Sequence, residues 1–345
     1  MFDLLDDARA ASEEAETWRG GSLNEKGSGE GRALIGSFGQ ILKERDVVDT
    51  SSNPEKRQSS GFVDIEVEEI CRRITVQPPY FAFKRLRENT LGEIYGEFIV
   101  EQPLGSETGP VTAAEIGRHL AILGSCAAAQ IDHHLTYYLA THASYIRLRE
   151  PLIKTHGELL QANARVVRFN HRSLEVDSYV SDGAPFARLT VRYQCLRESL
   201  FNRMFEGFRH HPIAVPEASP YVRPVPLSFD TPSATRLVAH SRQLSVNEFA
   251  GHFPNYPAWP VAILASCSLR VVGRLIEHRL GRSASYDVLT AELVAHKLIG
   301  AATAVSFVAT YVSESPIDHR FNVNCDVIAD GVVVAEVLTS VRVAN

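Results

Sequence analysis

The chain has 345 residues, 45% of them hydrophobic, so it is long enough for two domains of ordinary size with buried cores. Its formal net charge of −6 provides no electrostatic basis for binding nucleic acid, and no apolar run approaches the roughly 20 residues of a membrane span. The five cysteines form no CxxC pair and the N-terminus is acidic, so we expect reduced thiols and a cytoplasmic protein.

Residues 1–60 differ in composition from the rest of the chain. They are rich in Gly, Ser and charged side chains, and the stretch from Trp18 to Gly31 contains a single aliphatic residue, Leu23. Such a segment cannot bury enough apolar surface to form a core. We therefore expect residues 1–60 to be a mobile or wrapping arm.

Residues 61–207 are predicted to form a first domain around one long helix. Thr112 and Glu115 have the spacing of a capping box, which predicts a helix from Thr112 to about Tyr138. Its centre is apolar on all sides and should be buried. Alternating apolar and polar residues predict strands before and after it, at Ile94–Val100, Ser144–Arg149, 157–168, Ser173–Val180 and Pro185–Gln194.

A proline-rich stretch, predicted as a linker over residues 208–227, leads to a second domain at 228–345 that repeats this order. A strand at Arg236–His240 precedes a helix predicted from Trp259 to Leu280. Three further segments follow the strand predicted at Leu289–Lys297, with the hairpin signal Asp330-Gly331 between the last two: 302–312, His319–Val327 and Val332–Val343.

The two halves contain a gapless repeat. Leu120–Cys126 (LAILGSC) aligns with Val261–Cys267 (VAILASC), and the positions before them carry different residues. Among these preceding positions the second half has His252 where the first half has Val111. A repeat with so long a period, from Leu120 to Val261, indicates a duplicated domain. An apolar helix followed by antiparallel strands favours an α+β architecture in which a curved sheet wraps the helix.

The segment from Gly251 to Pro260, Gly-His-Phe-Pro-Asn-Tyr-Pro-Ala-Trp-Pro, resembles that of the β-hydroxyacyl-thioester dehydratases of fatty acid synthesis. Those enzymes carry Gly-His-Phe-Pro-Gly-x-Pro-x-x-Pro-Gly before a buried helix. Asn255 and Val261 replace two of the glycines here. The resemblance implies a double hot-dog fold, with two curved antiparallel sheets that each wrap a long central helix.

The resemblance also implies dehydration of a 3-hydroxyacyl thioester, in fatty acid-like or polyketide-type biosynthesis. The reaction needs a base, an acid and a polarised carbonyl. His252 is the expected base, and a structural histidine in a retained turn is the alternative. The substrate-binding residues are expected to be Ser125, Gly251, Phe253, Pro260 and Val261.

The acid is missing from its expected place. The family's Glu or Asp falls on Ser125 in the first helix and on Ser266 in the second, and serine cannot donate a proton as a carboxylic acid does. His119 aligns with Pro260 at a helix entrance, so it is a candidate acid or a group that holds the phosphopantetheine thioester. A satisfied polar residue is the alternative for His119, and Glu115 is expected to cap the helix.

Two other functions remain open, an acyl thioesterase on the same fold and a non-catalytic acyl-binding or scaffold protein. No metal or cofactor is expected, because adjacent histidines such as His133 and His134 chelate poorly and no phosphate loop is present. The expected partners are acyl carrier protein or coenzyme A thioesters, with a homodimer or a partner enzyme of the same pathway also open. The counterpart site at Val111 is predicted to be inactive.

Overall fold

The computed structural model describes residues 61–152, 157–211 and 219–344. The arm predicted at 1–60 and part of the predicted linker lie outside the described residues. Both halves of the repeat belong to one compact unit, Ser59–Asn345. In its described part no helix is long and apolar enough to cross a membrane, and no group of three or more acidic, His or Cys side chains could hold a metal ion.

The described α-helices include two long ones, one in each half of the repeat. The bounds are Val67–Ile74 for α1, Ala113–Ile131 for α2, Glu198–Met204 for α3 and Val261–Leu280 for α4. Thr112 caps α2, and its hydroxyl accepts a hydrogen bond from the Glu115 amide at 3.2 Å. The predicted N-cap is therefore confirmed.

The described strands form one antiparallel sheet of 13 strands. Their bounds are Val63–Asp64 (β1), Phe83–Glu88 (β2), Ile94–Ile99 (β3), Thr136–Arg147 (β4), Leu159–Phe169 (β5), Ser173–Ser181 (β6), Pro185–Arg197 (β7), Leu227–Phe229 (β8), Arg236–Ser241 (β9), Tyr286–Ala295 (β10), Val305–Ser315 (β11), Arg320–Ala329 (β12) and Val332–Val343 (β13).

The strand order shows the duplication directly. It runs β1-β2-β3-β5-β6-β7-β4 through the first half and β10-β13-β12-β11-β9-β8 through the second, so the halves are mirrored about the β4–β10 pair. In that pair Ile146 lies opposite Thr290 and His142 opposite Val294. The two predicted sheets are therefore joined edge to edge, and β4 and β10 pair with each other over His142–Ile146 and Thr290–Val294.

Each long helix packs against the strands of its own half, α2 on β3 to β7 and α4 on β9 to β13. The two helices also contact each other. Gly124 of α2 allows the close approach of β7, because a Cβ there would lie 2.9 Å from the Tyr193 hydroxyl. The predicted α+β architecture, a sheet packed around one central helix in each half, is confirmed.

The first long helix ends earlier than its sequence predicts. It stops at Ile131, and Tyr137 and Tyr138 belong to β4 instead of the helix. The carboxylate of Asp132 accepts hydrogen bonds from Arg197 at 2.6 Å and from the His134 amide at 3.2 Å, which favours a turn. The threonine and tyrosines that follow suit a strand paired with β7.

The five cysteines are buried and carry free thiols, as their apolar surroundings predict. Burial raises the pKa of each of these thiols, and Cys267 reaches about 12. A thiol with such a pKa is a poor nucleophile, since the thiolate is the reactive form.

Candidate functional site

The segment Gly251–Pro260 lies on the first half of the protein. The Gln77 amide donates a hydrogen bond to the Gly251 carbonyl at 2.9 Å, and Val76 forms an antiparallel bridge with His252. Gly251 has φ +87°, and a Cβ there would lie 2.2 Å from the Gln77 carbonyl oxygen. Glycine is required here both for its positive φ and for this close approach.

His252 is held by its backbone and by one ring nitrogen. Its amide donates to the Phe249 carbonyl at 3.1 Å, and Nδ1 lies 3.1 Å from the Ala258 carbonyl oxygen. Because that oxygen can only accept, Nδ1 carries the proton and Nε2 presents a lone pair. The ring lies between Tyr80, at 4.9 Å between centroids, and Phe253, at 4.1 Å in a stacked arrangement.

The surroundings of His252 favour its neutral form. Desolvation by the surrounding protein lowers the pKa of His252 from 6.5 to about 4, against the opposing effect of the Ala258 hydrogen bond. The imidazole is therefore unprotonated across the neutral range. An oriented, neutral ring with a free Nε2 meets the first geometric requirement of a general base.

The N-terminus of α4 follows directly and has no side-chain cap. Pro260 occupies the N-cap position and offers no hydrogen-bonding side chain, and the first turn contains no acidic residue. The Pro260 carbonyl accepts from Ile263 and Leu264. The amides of Val261 and Ala262 have no partner within the helix, as expected for a first turn. These two amides are hydrogen-bond donors at the positive end of the helix dipole. Along the chain they follow Ala258, whose carbonyl His252 binds, by three and four residues.

The corresponding end of α2 is filled instead. The Glu107 carboxylate accepts a hydrogen bond from the Ala113 amide at 2.9 Å, and Thr112 caps the Glu115 amide. Val111, which aligns with His252, is buried in the core. An internal carboxylate thus takes the position that a ligand oxygen would need, which agrees with the prediction that this counterpart site is inactive.

Replacing Glu107 with glutamine is expected to stabilise the protein in a pH-dependent way. Burial raises the pKa of Glu107 from 4.5 to about 7, so the folded state binds this proton more tightly than the unfolded state does. The resulting stability is complete below about pH 4.5 and is lost as the pH rises through 7. In urea unfolding, the Glu107→Gln variant should gain about 2 kcal/mol on the wild type between pH 5 and pH 8. A difference that is constant with pH would contradict this assignment.

The first half departs from the repeat because its helix begins earlier in the alignment, at Ala113 instead of at Leu120, the position that corresponds to Val261. In the gapless alignment Phe253–Pro260 corresponds to Thr112–His119, which is helical apart from its cap. Prolines at 254, 257 and 260 exclude a helix in the second half, whereas the first half has alanines at 113 and 114. His119 is consequently not at a helix entrance, as its alignment with Pro260 predicts, but two turns inside α2.

His119 is fully buried in the first half. Its ring stacks on Phe98, with 3.9 Å between centroids, and Nε2 lies 3.2 Å from the Arg118 guanidinium. Burial, together with the Arg118 charge, lowers the pKa of His119 well below 6.5. A histidine held neutral in this way has no proton to donate as an acid near neutral pH, so the placement favours its alternative role as a structural polar residue.

Ser125 is buried and bonded within its own helix. Its hydroxyl donates to the Ala121 carbonyl, four residues earlier, at 3.3 Å, and the Tyr193 hydroxyl donates to the same oxygen at 2.7 Å. The hydrogen bond of the Ser125 hydroxyl stays within α2, which favours a packing role for this side chain.

Sequence reasoning missed Arg118. It is fully buried, and its Nη2 lies 2.6 Å from Glu101 Oε1. Its guanidinium lies over the rings of Tyr80 at 5.7 Å and Tyr221 at 5.3 Å. An arginine two turns into an otherwise apolar helix was the available signal, since such a residue is rarely buried without a partner.

Glu115 has a different partner from the one that its capping-box spacing predicts. Its carboxylate accepts hydrogen bonds from the amides of Glu101 at 2.8 Å and Gln102 at 3.1 Å. Burial raises the pKa of Glu115 to about 6, although Arg118 opposes the shift. This carboxyl group ties the end of β3 to α2, and it does not return to the Thr112 amide.

Comparison with known proteins identifies the fold. No family model and no curated protein matches the sequence. Among solved structures, a TesB protein of Mycobacterium avium subspecies paratuberculosis has a TM-score of 0.53 at 9% identity, covering 81% of this chain and all of its own. A Lactobacillus plantarum protein assigned as an oleoyl thioesterase has a TM-score of 0.51 at 11% identity, covering 74% of this chain and all of its own.

A Thermobifida fusca protein assigned as a thioesterase II is similar as well, with a TM-score of 0.51 at 14% identity. It is matched over its whole length by 78% of this chain. The TM-scores establish a shared fold, and at identities this low they establish nothing beyond the fold. Together with the mirrored strand order, they show that this chain is a double hot-dog protein of the α+β class.

Proposed function

We propose that this protein acts on acyl thioesters and that its reaction is hydrolysis, at a site formed by His252 and the N-terminus of α4. The observation that carries the proposal is the pairing of a neutral, oriented imidazole with an uncapped helix N-terminus. Among the described residues, the recorded contacts of the His252 ring are with Ala258, Tyr80 and Phe253, and none of these supplies a carboxyl group.

The chemistry of hydrolysis suits these groups. Nε2 of His252 takes a proton from water as the water oxygen attacks the thioester carbonyl, and the developing oxyanion faces the amides of Val261 and Ala262. When the C–S bond breaks, the sulfur leaves as a thiolate, whose conjugate acid has a pKa near 8.5. Such a leaving group needs no strong acid, and the proton on His252 can pass to it. The products are a free carboxylic acid and a free thiol.

The comparisons add support, because the similar structures include proteins assigned as thioesterases. A thioester substrate would be carried on the phosphopantetheine arm of coenzyme A or of an acyl carrier protein. No cofactor is needed for this reaction.

Dehydration of a 3-hydroxyacyl thioester is the second candidate, favoured by the Gly-His-Phe-Pro segment that begins at Gly251. In that reaction hydroxide departs, and a poor leaving group of this kind requires an acid. Among the described residues, the contacts of the His252 ring include neither Glu115, whose carboxylate accepts from two backbone amides, nor His119, which burial keeps neutral. This arrangement favours hydrolysis over dehydration.

The test is incubation of the purified protein with hexanoyl-CoA and with 3-hydroxyhexanoyl-CoA, while free thiol and the 2-enoyl product are measured separately. We expect thiol release from both substrates without an enoyl product. Formation of the enoyl thioester without thiol release would replace hydrolysis by dehydration. Tight binding of both thioesters with neither product would indicate a non-catalytic acyl-binding protein.

A further inference from the structure

Arg118 and His119 carry three buried hydrogen-bond donors that lack partners. Within the described part of the chain these are Nε and Nη1 of Arg118 and Nδ1 of His119, and Glu101 Oε1 makes no hydrogen bond either, although it lies 2.6 Å from Arg118 Nη2. Arginine can only donate, so His119 Nε2 must accept from Arg118, and Nδ1 of His119 then carries the proton. All three unpartnered nitrogen atoms are therefore N–H groups. Leaving such donors buried and unpaired costs free energy, which an acceptor oxygen from a ligand would recover.

The charge balance of this cluster favours an uncharged acceptor. Glu101 already lies 2.6 Å from Arg118 and compensates its charge. Glu115, 3.7 Å from His119, adds a second carboxylate once the pH exceeds its pKa of about 6. A carboxylate or phosphate of a ligand would meet a cluster that is neutral or negative, so a hydroxyl, keto or amide oxygen fits better.

The cluster borders the histidine segment on two sides. The Tyr80 ring lies between the Arg118 guanidinium and His252, and its edge-on contact with the Tyr221 ring has 5.1 Å between centroids. The Tyr221 hydroxyl donates to the carbonyl of Ala250 at 2.9 Å, two residues before His252. An oxygen bound at Arg118 would thus lie one aromatic ring away from the reacting carbonyl.

We propose that Arg118 is a specificity residue that binds an uncharged oxygen of the thioester substrate, a role that rests on the proposed function. Two parts of a thioester carry such oxygens. One is an oxygenated acyl chain, through a hydroxyl or keto group, and the other is the pantetheine arm, through its amides. The chemistry at Arg118 is the same in both cases, so the substrates in the test separate the two sources.

The test compares the wild type with Arg118→Met, which keeps the length of the side chain and removes its donors. Since that change leaves Glu101 unpaired, the double variant Arg118→Met/Glu101→Gln removes the ion pair as a whole. Arg274→Met, at an exposed position of α4, is the matched control. Circular dichroism and thermal unfolding establish that each variant is folded. Then kcat/KM is measured for hexanoyl-CoA, 3-hydroxyhexanoyl-CoA and the hexanoyl thioester of N-acetylcysteamine.

We expect the Arg118 variants to lose selectivity by about tenfold or more, the effect of one well-placed donor. A reduced preference for 3-hydroxyhexanoyl-CoA over hexanoyl-CoA places the oxygen on the acyl chain. A reduced preference for hexanoyl-CoA over the N-acetylcysteamine thioester places it on the carrier. Equal effects on all three substrates, or none, would overturn the proposal.

A binding measurement tests the role of Arg118 independently of hydrolysis. Calorimetry gives the dissociation constants of three non-hydrolysable thioethers: hexyl-CoA, 3-hydroxyhexyl-CoA and hexyl-N-acetylcysteamine. If the protein binds them but hydrolyses no thioester, hydrolysis is wrong and Arg118 is judged from the ratios of the dissociation constants. A wild type and Arg118 variants with the same ratios would overturn the role of Arg118 even when hydrolysis is observed.

Discussion

The His252→Ala variant is expected to lose about 10³-fold in kcat/KM for acyl-thioester hydrolysis while it remains folded, a loss typical of removing a general base. The side chain donates one hydrogen bond, to the Ala258 carbonyl, and otherwise packs on Tyr80 and Phe253. The loss should therefore appear in turnover more than in the unfolding temperature. Thiol release under saturating and subsaturating substrate measures it.

The pH profile of the wild type makes the same assignment independently. Because the pKa of His252 is lowered to about 4, kcat/KM should be flat from about pH 5 to pH 8 and should fall only as the histidine is protonated near pH 4. An ordinary histidine would instead show a decline centred near 6.5. A decline centred there would argue against His252 as the base.

His296→Ala is the matched control, because His296 is half-exposed, follows the end of β10 and bonds Glu336 of β13. It should leave thiol release unchanged. Substantial turnover in His252→Ala would mean that the base lies elsewhere, and it would also reopen the question of activity at the Val111 site.

The Gly251→Ala variant is expected to lose about 3 kcal/mol or more in the free energy of unfolding, together with the activity. Two effects add. Alanine is strained at φ +87°, at a cost of about 1 kcal/mol, and its Cβ would lie 2.2 Å from the Gln77 carbonyl oxygen, which belongs to backbone and cannot rotate away. Urea unfolding at neutral pH measures the loss.

Gly281→Ala separates these two effects. Gly281 ends α4 with φ +65°, and nothing lies within 4 Å of a Cβ placed there. It should cost only the conformational strain, about 1 kcal/mol. Equal losses in the two variants would show that the contact between Gly251 and Gln77 contributes little to stability.

The asymmetry between the two halves follows from a few residues. Prolines at 254, 257 and 260 keep the second half's segment out of the helix, so its helix begins only at Val261 and has no side-chain cap. In the first half the same stretch joins the helix, and Glu107 and Thr112 occupy its end. One half thus supplies the proposed catalytic segment, and the other supplies the surface against which it packs and the buried Arg118.

Much of this arrangement could be predicted from the amino-acid sequence because it depends on local patterns. The repeat, the Thr112 cap, the apolar helices and the hairpin at Asp330-Gly331 all follow from residues close together in the chain. That hairpin is confirmed by the positive φ angles of Asp330 at 52° and Gly331 at 76°. The Gly-His-Phe-Pro segment likewise indicated the hot-dog fold.

Long-range placement decided the rest. Whether His119 or Arg118 faces a substrate depends on where α2 begins and on its packing against segments distant in the chain, such as those of Tyr80 and Tyr221, and sequence periodicity predicts neither. The joining of two sheets at β4 and β10 and the seating of Gly251 on Gln77 are likewise contacts between distant segments. Local patterns set the elements of this protein, whereas the pKa of His252 and the unpaired donors of Arg118 arise from burial, which exists only once the halves are packed together.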